Sequence, residues 1–258
     1  MKREIIESIL AGYSSISLVE MDNVRLMNRV DTKYTVSLSL LPEILKRLQP
    51  DYLIQEIDGL LLNAYRTVYL DTCDRAMYLD HHNGRRTREK IRVRTYVDSQ
   101  TVFLEVKNKN NKGRTKKKRI ELPDLKAYKQ QKAEAFLEKH AKYAPDTLIP
   151  RLENSFYRIT LVNKTKTERL TIDVNLAFRN PSDGLEKQLD DLAVIELKQT
   201  GNIPSFAKSV LSGLRIHPVN ISKYCLGTIL TAPEVKSNRF KLKMIQLNKI
   251  GKQQNGFV

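Results

Sequence analysis

Lys90-Ile91-Arg92-Val93-Arg94 and Phe103-Leu104-Glu105-Val106-Lys107 decide how this chain folds. In each, apolar and charged side chains alternate with a period of two, as a β-strand does when it buries only one face. The same reading extends outward along the chain. Val30 and Tyr34 alternate with Arg29, Asp31 and Lys33, and Tyr157, Ile159 and Leu161 with Arg158 and Thr160. Leu170, Ile172 and Val174 alternate with Arg169, Thr171 and Asp173, and Ile195 and Leu197 with Glu196 and Lys198. Asn110–Gly113 reads as the turn into a strand over Lys116–Leu122, and Asn83-Gly84 as a hairpin dipeptide flanked by strands. Strands joined by short turns predict an antiparallel sheet.

Helical spacing appears elsewhere. Residues 1–12 predict a short amphipathic helix, and Leu38–Leu48 a second, with Leu41, Leu45 and Leu48 in step and Pro42 in the first turn. Asp124–Lys142 reads as one longer polar helix, and Ile203–Leu214 and Val219–Leu230 as two more, opened by Pro204 and Pro218. The fold class is therefore α+β. Expected organisation is a helical segment over 1–23, one main domain over 24–232 and a basic tail over 233–258 that hangs off it.

Composition narrows the function. The 258 residues hold 45 Lys+Arg against 29 Asp+Glu, a net charge of +16, which points to a polyanionic partner. The charge is uneven. Arg85–Arg119 carries 14 basic and 3 acidic residues, and Lys236–Val258 carries 6 basic and none acidic, so the remainder sums to −1. With 41% hydrophobic residues the chain is too apolar to be disordered. Cys73 and Cys225 form neither a disulfide framework nor a metal knuckle. No run of 18 apolar residues and no signal-like start is seen, so a cytoplasmic location is expected.

The alternation places the charge on one face. An acid-x-base pattern recurs as Asp31-Thr32-Lys33, Glu105-Val106-Lys107 and Glu196-Leu197-Lys198. Side chains two residues apart share a face, about 6.6–6.8 Å apart along it. On one strand this is an ordinary solvated face. Repeated over several strands, and gathered into one lumen if the sheet closes, it describes a wet, cation-rich surface for an anion. Arginine forks bind phosphate bidentately, lysine acts as a point charge, and interspersed carboxylates suit a hard divalent cation.

These residues resemble a family. Arg29-Val-Asp-Thr-Lys33-Tyr34, then Val68-Tyr-Leu-Asp71-Thr72 with Tyr78 and Asp80-His-His-Asn-Gly84, is similar to the VTC domain. That is the polyphosphate polymerase domain of the vacuolar transporter chaperone proteins, and the resemblance implies its bacterial-type stand-alone form. Lys90–Arg94, Phe103–Lys107, Ile195–Lys198 and Ser222-Lys223-Tyr224 continue the match in order, over roughly Val24 to Leu230. The resemblance implies a closed antiparallel β-barrel of the CYTH-like triphosphate tunnel superfamily, with helices around it and at its mouth. It implies transfer of the ATP γ-phosphate onto a growing polyphosphate chain. By motif, the catalytic set would be Arg92, Arg94, Lys107, Arg158, Arg169 and Lys223. Substrate phosphate would be held by Lys33, His81, Lys117, Arg119, Lys198 and Ser222, and a Mn²⁺ or Mg²⁺ ion by Glu196. A helix at the tunnel mouth would point Lys223 inward.

Two positions depart from the family. His81 stands where a tunnel arginine is expected, and Asn220 where a lysine precedes the Ser-Lys pair. No counterpart of the phosphate-sensing SPX domain or the membrane helices of the eukaryotic relatives is expected. Hydrolases of the superfamily carry Glu-x-Glu-x-Lys where this chain reads Arg29-x-Asp31-x-Lys33. Three functions remain in view: the polymerase, a metal-dependent tripolyphosphatase or nucleoside triphosphatase, and a non-catalytic polyphosphate or anion-binding module. The expected partners are ATP and inorganic polyphosphate, with a membrane protein as a candidate partner in the cell. With 7% aromatic residues and no Trp, base stacking is thinly supplied, and no sequence-specific nucleic acid is expected.

Overall fold

The computed structural model describes residues 2–22, 29–201 and 203–252. The first residues of the expected main domain, 24–28, and the end of the expected tail, 253–258, lie outside the described residues, as does the Arg29 side chain. The chain runs α1 (Lys2–Leu10), β1 (Ser15–Ser17), α2 (Leu18–Asp22), β2 (Arg29–Ser37), α3 (Leu41–Leu48), β3 (Tyr52–Glu56) and β4 (Asn63–Asp71). It continues with α4 (Ala76–His82), β5 (Arg88–Tyr96), β6 (Thr101–Lys109), β7 (Thr115–Leu122), α5 (Gln131–His140), β8 (Ile149–Asn163) and β9 (Glu168–Arg179). It ends with β10 (Glu186–Leu189), β11 (Leu192–Thr200), α6 (Phe206–Gly213), α7 (Lys223–Thr231) and α8 (Lys241–Lys252).

The result is a mixed α/β protein built on one large sheet. Its strands follow the order β2-β11-β9-β8-β4-β5-β6-β7, every neighbour antiparallel. The expected closed barrel is corrected by this order, because β2 and β7 end the ladder and do not pair with each other. Instead β2 turns its free edge to the chain before α7: Val219 N–H donates to the Lys33 carbonyl at 2.7 Å.

The sheet is nonetheless strongly curled. Lys33 on β2 donates to the Ile221 carbonyl at 3.3 Å, and Lys90 on β5 donates to Ser222 Oγ at 3.0 Å. In a flat sheet the strand steps between β2 and β5 would hold them about 24 Å apart. Two consecutive residues reach both, so the sheet folds into a trough.

Its two faces are chemically distinct. The convex face carries Tyr34, Ile159, Leu161, Ile172, Ile195 and Leu197 packed under α1, α3 and α6. Further along it, Val68, Ile91, Val93, Leu104 and Val106 pack under α5. Part of the concave face is apolar too. Leu152, Phe156, Phe178, Leu192 and Val194 pack against Tyr224, Cys225 and Leu226 of α7. Gly227 permits that seat, since a Cβ there would lie 2.7 Å from Leu152 Cδ2 and closer still to Phe178. The rest of the concave face is rich in charge.

Other expectations are also corrected. Asn83-Gly84 does not turn a hairpin but ends α4, with Gly84 at φ 72°. The cause is Asp71, whose carboxylate accepts from the Met77 and Tyr78 amides at 3.0 Å each and starts the helix. Asp124–Lys142 is split by Gln130, which is extended at φ −86° and ψ 155°, into a 3₁₀ turn and α5. The helix expected from Val219 starts only at Lys223, capped by Ser222.

The C-terminal stretch does not hang free. Met244, Leu247 and Ile250 make an apolar stripe that packs on the Tyr78 and Tyr224 cluster, with Leu247 buried. His82 Nε2 lies 2.7 Å from Asn238 Oδ1 and pins the approach to α8. Among the described residues, no helix is long and apolar enough to cross a membrane.

Candidate functional site

Register fixes which side chains share the concave face, because directly opposed residues in antiparallel strands point the same way. Lys33 opposes Glu196, which opposes Thr171; Asp31 opposes Lys198, which opposes Arg169. Asp173 opposes Arg158. Arg158 opposes Asn63 on β4, whose Thr67 and Tyr69 oppose Arg94 and Arg92. Arg92 opposes Glu105, which opposes Arg119, and Lys90 opposes Lys107, which opposes Lys117. So the sheet brings Lys33, Arg92, Arg94, Lys107, Lys117, Arg119, Arg158, Arg169, Glu196 and Lys198 to one surface. Two helices supply the rest of the expected set. Lys223 is the first residue of α7 and points in to Asp173, with its ammonium 4.9 Å from the Phe156 ring centroid. His81 sits in the last turn of α4.

Two carboxylates on this surface are fully engaged. Glu105, with no exposed surface, accepts from Arg92 Nε at 2.6 Å and Lys117 Nζ at 2.7 Å. Burial opposes its charge, but Arg92, Arg94 and Lys117 outweigh that and hold its carboxyl well below the usual range. Asp173 accepts a bidentate pair from Arg158 at 2.6 and 2.8 Å and a further bond from Lys223. Its carboxyl is depressed in the same way, burial being overcome by Arg158 and Lys223. Glu196 differs: it lies between Lys198 at 3.1 Å and Lys33 at 3.7 Å, with its side chain 23% exposed. Lys198 and Lys33 overcome burial there and keep it ionised.

Among the described residues neither Arg94 nor Lys107 makes an ion pair; Arg94 Nε donates to Thr67 at 3.4 Å, and its guanidinium lies 5.7 Å from the Tyr65 ring centroid. Arg119 stacks on Phe103 at 4.4 Å. Burial and crowding lower the lysines' proton affinity. Arg92 first, then burial and Arg94, hold Lys107 well below its ordinary value. Burial, reinforced by Lys33, Arg92 and Arg88, brings Lys90 down to about 8, and burial with Arg158 and Arg169 brings Lys198 to about 8. His81 is pushed to about 2 by burial and by Lys90, Arg88, Lys109 and Lys33, so its imidazole is neutral, and its Nε2 is buried without a partner. A surface that crowds its lysines enough to weaken their hold on protons is short of negative charge, which an anion in the trough would supply.

Some features of the trough were not in the expected set. Lys90 is a trough residue, and its bond to Ser222 ties α7 to β5. Tyr65 and Tyr69 are buried as core residues are, yet lie on the trough face, with Arg158 4.9 Å from the Tyr65 ring centroid. Arg66 faces away and pairs with Glu153 at 3.1 Å. Arg75 is buried elsewhere, against the Arg151 carbonyl.

A divalent metal could be held at Glu196. No group of three or more His, Cys, Asp or Glu side chains gathers for a metal among the described residues. Glu105 and Asp173 are buried under their cations, whereas Glu196, 23% exposed between Lys198 at 3.1 Å and Lys33 at 3.7 Å, is more accessible to an ion, and one carboxylate plus substrate phosphates is a familiar donor set for Mg²⁺-type ions.

No curated protein matches the chain. Among solved structures, a candidate adenylate cyclase from Bacillus halodurans superposes with a TM-score of 0.48 at 16% identity, covering 76% of this chain and 96% of that one. A Hippeastrum candidate adenylyl cyclase, described as having a dominant triphosphatase activity, gives 0.48 at 13%, covering 79% and 96%. A Vibrio parahaemolyticus candidate adenylate cyclase gives 0.46 at 12%, covering 78% and 99%. These likenesses are too slight to carry an argument. The family model is another matter: the VTC domain matches residues 28–231, the stretch that supplies the whole charged face from Lys33 to Lys223 and stops short of α8, and the chain belongs to the VTC domain family.

Proposed function

We propose that the trough is the active site of a polyphosphate polymerase, which moves the γ-phosphate of ATP onto a growing polyphosphate chain. The observation that carries this is the pairing pattern. Glu105 and Asp173 lock Arg92, Lys117, Arg158 and Lys223 in place, while among the described residues Arg94 and Lys107 make no ion pair. Phosphoryl transfer asks little covalent chemistry of a protein; it asks for in-line placement and neutralisation of the charge on the transferred group. Fixed guanidiniums supply placement, because their N–H groups need no reorganisation when substrate arrives. Arg94 and Lys107 supply neutralisation. Neutral His81 offers Nε2 to a phosphate oxygen. Glu196, with Lys33 and Lys198 beside it, would hold a divalent metal against the phosphates, where the ion would act as a Lewis acid on their oxygens.

The acceptor is the terminal phosphate of the chain, so no side-chain nucleophile is needed. The hydrolytic alternative is disfavoured by the shortage of free carboxylates, since Arg29-x-Asp31-x-Lys33 supplies one acid where the hydrolase pattern has two. Purified protein given ATP with Mn²⁺ or Mg²⁺ is expected to produce acid-insoluble phosphate polymer. Orthophosphate release from tripolyphosphate without polymer would favour the hydrolase. Binding without turnover, unchanged in Glu196→Gln, would favour the binding module.

A further inference from the structure

One face of α8 is left uncovered. The helix turns Met244, Leu247 and Ile250 inward, and at about 3.6 residues per turn Lys241, Leu242, Ile245 and Lys249 come to lie on the opposite side. Leu242 is 82% exposed and Ile245 43%, and Lys241 and Lys249 are exposed beside them. No acidic residue occurs from Lys236 onward. The face is held in place: Leu247 is buried, Lys243 donates to the Asn220 carbonyl at 2.8 Å, and Arg239 donates to the Asn83 carbonyl at 2.6 Å. That last contact sets the approach to α8 beside the loop after α4, where Arg86 is exposed.

We infer that this face docks on an anionic bilayer surface, with Leu242 and Ile245 entering the headgroup boundary and the lysines resting against lipid phosphates. A face that carries only positive charge complements anionic lipid. Its apolar pair selects a bilayer over a dissolved polyanion, which offers no apolar phase to enter. A helix of this kind lies flat in the interface, and among the described residues no helix is long and apolar enough to cross. The inference goes beyond the trough reading, since none of these residues lies on the charged face of the sheet. Its rival is that the lysines merely keep the surface soluble. That role explains Lys241 and Lys249 but not a leucine and an isoleucine held out in water on the same side of the helix.

The test is sedimentation of the full chain with vesicles at low salt, without nucleotide. Vesicles of phosphatidylcholine mixed with phosphatidylglycerol are expected to take up the protein, and vesicles of phosphatidylcholine alone to take up little. Leu242→Gln with Ile245→Gln should lower partitioning into the mixed vesicles by at least about tenfold, and Lys241→Gln with Lys249→Gln by about fivefold per lysine. The apolar variant should keep its melting temperature and its affinity for tripolyphosphate. Unchanged partitioning in that variant means that charge elsewhere on the protein binds the vesicles, and overturns the inference. So does equal uptake by phosphatidylcholine alone, or an equal loss of long-chain polyphosphate affinity in the apolar variant. Conversion of a dimer to a monomer by that variant, without lipid, also overturns it, because the face would then be a contact between copies of this chain.

Discussion

Removing the charge of Glu105 separates structural from ligand-directed electrostatics. Glu105→Gln keeps the shape but leaves Arg92 with its side chain 10% exposed and no carboxylate partner. Breaking one partner of a buried pair costs about 3–5 kcal/mol. Lys117 is 40% exposed and relaxes into water, so its share is discounted and the low end, about 3 kcal/mol, applies. For a chain of this length that corresponds to a melting temperature lower by about 6–12 °C. The control is Glu153→Gln, whose partners Arg66 and Arg179 are about half exposed, for a loss under about 1 kcal/mol.

Tripolyphosphate should then narrow the gap between Glu105→Gln and wild type, because the orphaned cations gain an anion in the trough. The assay is thermal unfolding of each protein with and without ligand. A Glu105→Gln loss no larger than the control's, or a gap that ligand leaves unchanged, would refute the reasoning. The sign with pH is also set. Glu105 is depressed below its ordinary value of 4.5, so its contribution is full above that value and fades as pH falls through the folded-state value.

Lys107→Ala should cut polymer synthesis by about 10²-fold, read in initial rates, yet not lower the melting temperature, since Arg92 already repels that ammonium. Phosphate-chain affinity should fall as pH rises through about 8, where Lys90 and Lys198 release protons, as titration calorimetry across that range would show. The unliganded protein should behave oppositely. Both lysines hold fewer protons folded than unfolded between about 8 and 10.5, so stability rises with pH there, and a flat melting profile would contradict the crowding. Gly227→Ala should cost about 1–3 kcal/mol by overpacking against Phe178 and Leu152, measured by denaturant unfolding.

The shared face was legible because period-two alternation is a local property: Arg92 and Arg94 point one way wherever β5 is placed. Glu105 was also readable as an ion-pair partner, being two residues from Lys107 and on a strand next to arginines. What stayed hidden depends on contacts between distant residues. Asp173 and Lys223 meet only once α7 is laid across the trough. Asn83-Gly84 carries a true turn signal, but the Asp71 carboxylate nucleates a helix before the turn can join two strands. The basic C-terminus looked unpatterned because a narrow stripe, Met244, Leu247 and Ile250, suffices when the Tyr78 cluster waits to receive it. Closure of the sheet was invisible for the same reason, since nothing local in Arg29–Ser37 or Thr115–Leu122 tells whether those two edges meet.

That open edge bears on how a polymer is loaded. A continuous ring of paired strands admits a long chain only by threading from a free end. A backbone ladder that stops at β7 imposes no such rule. On the proposed reading it would leave the protein able to take hold of a chain along its length and to let go sideways, so that release would not wait for the terminus to slide through.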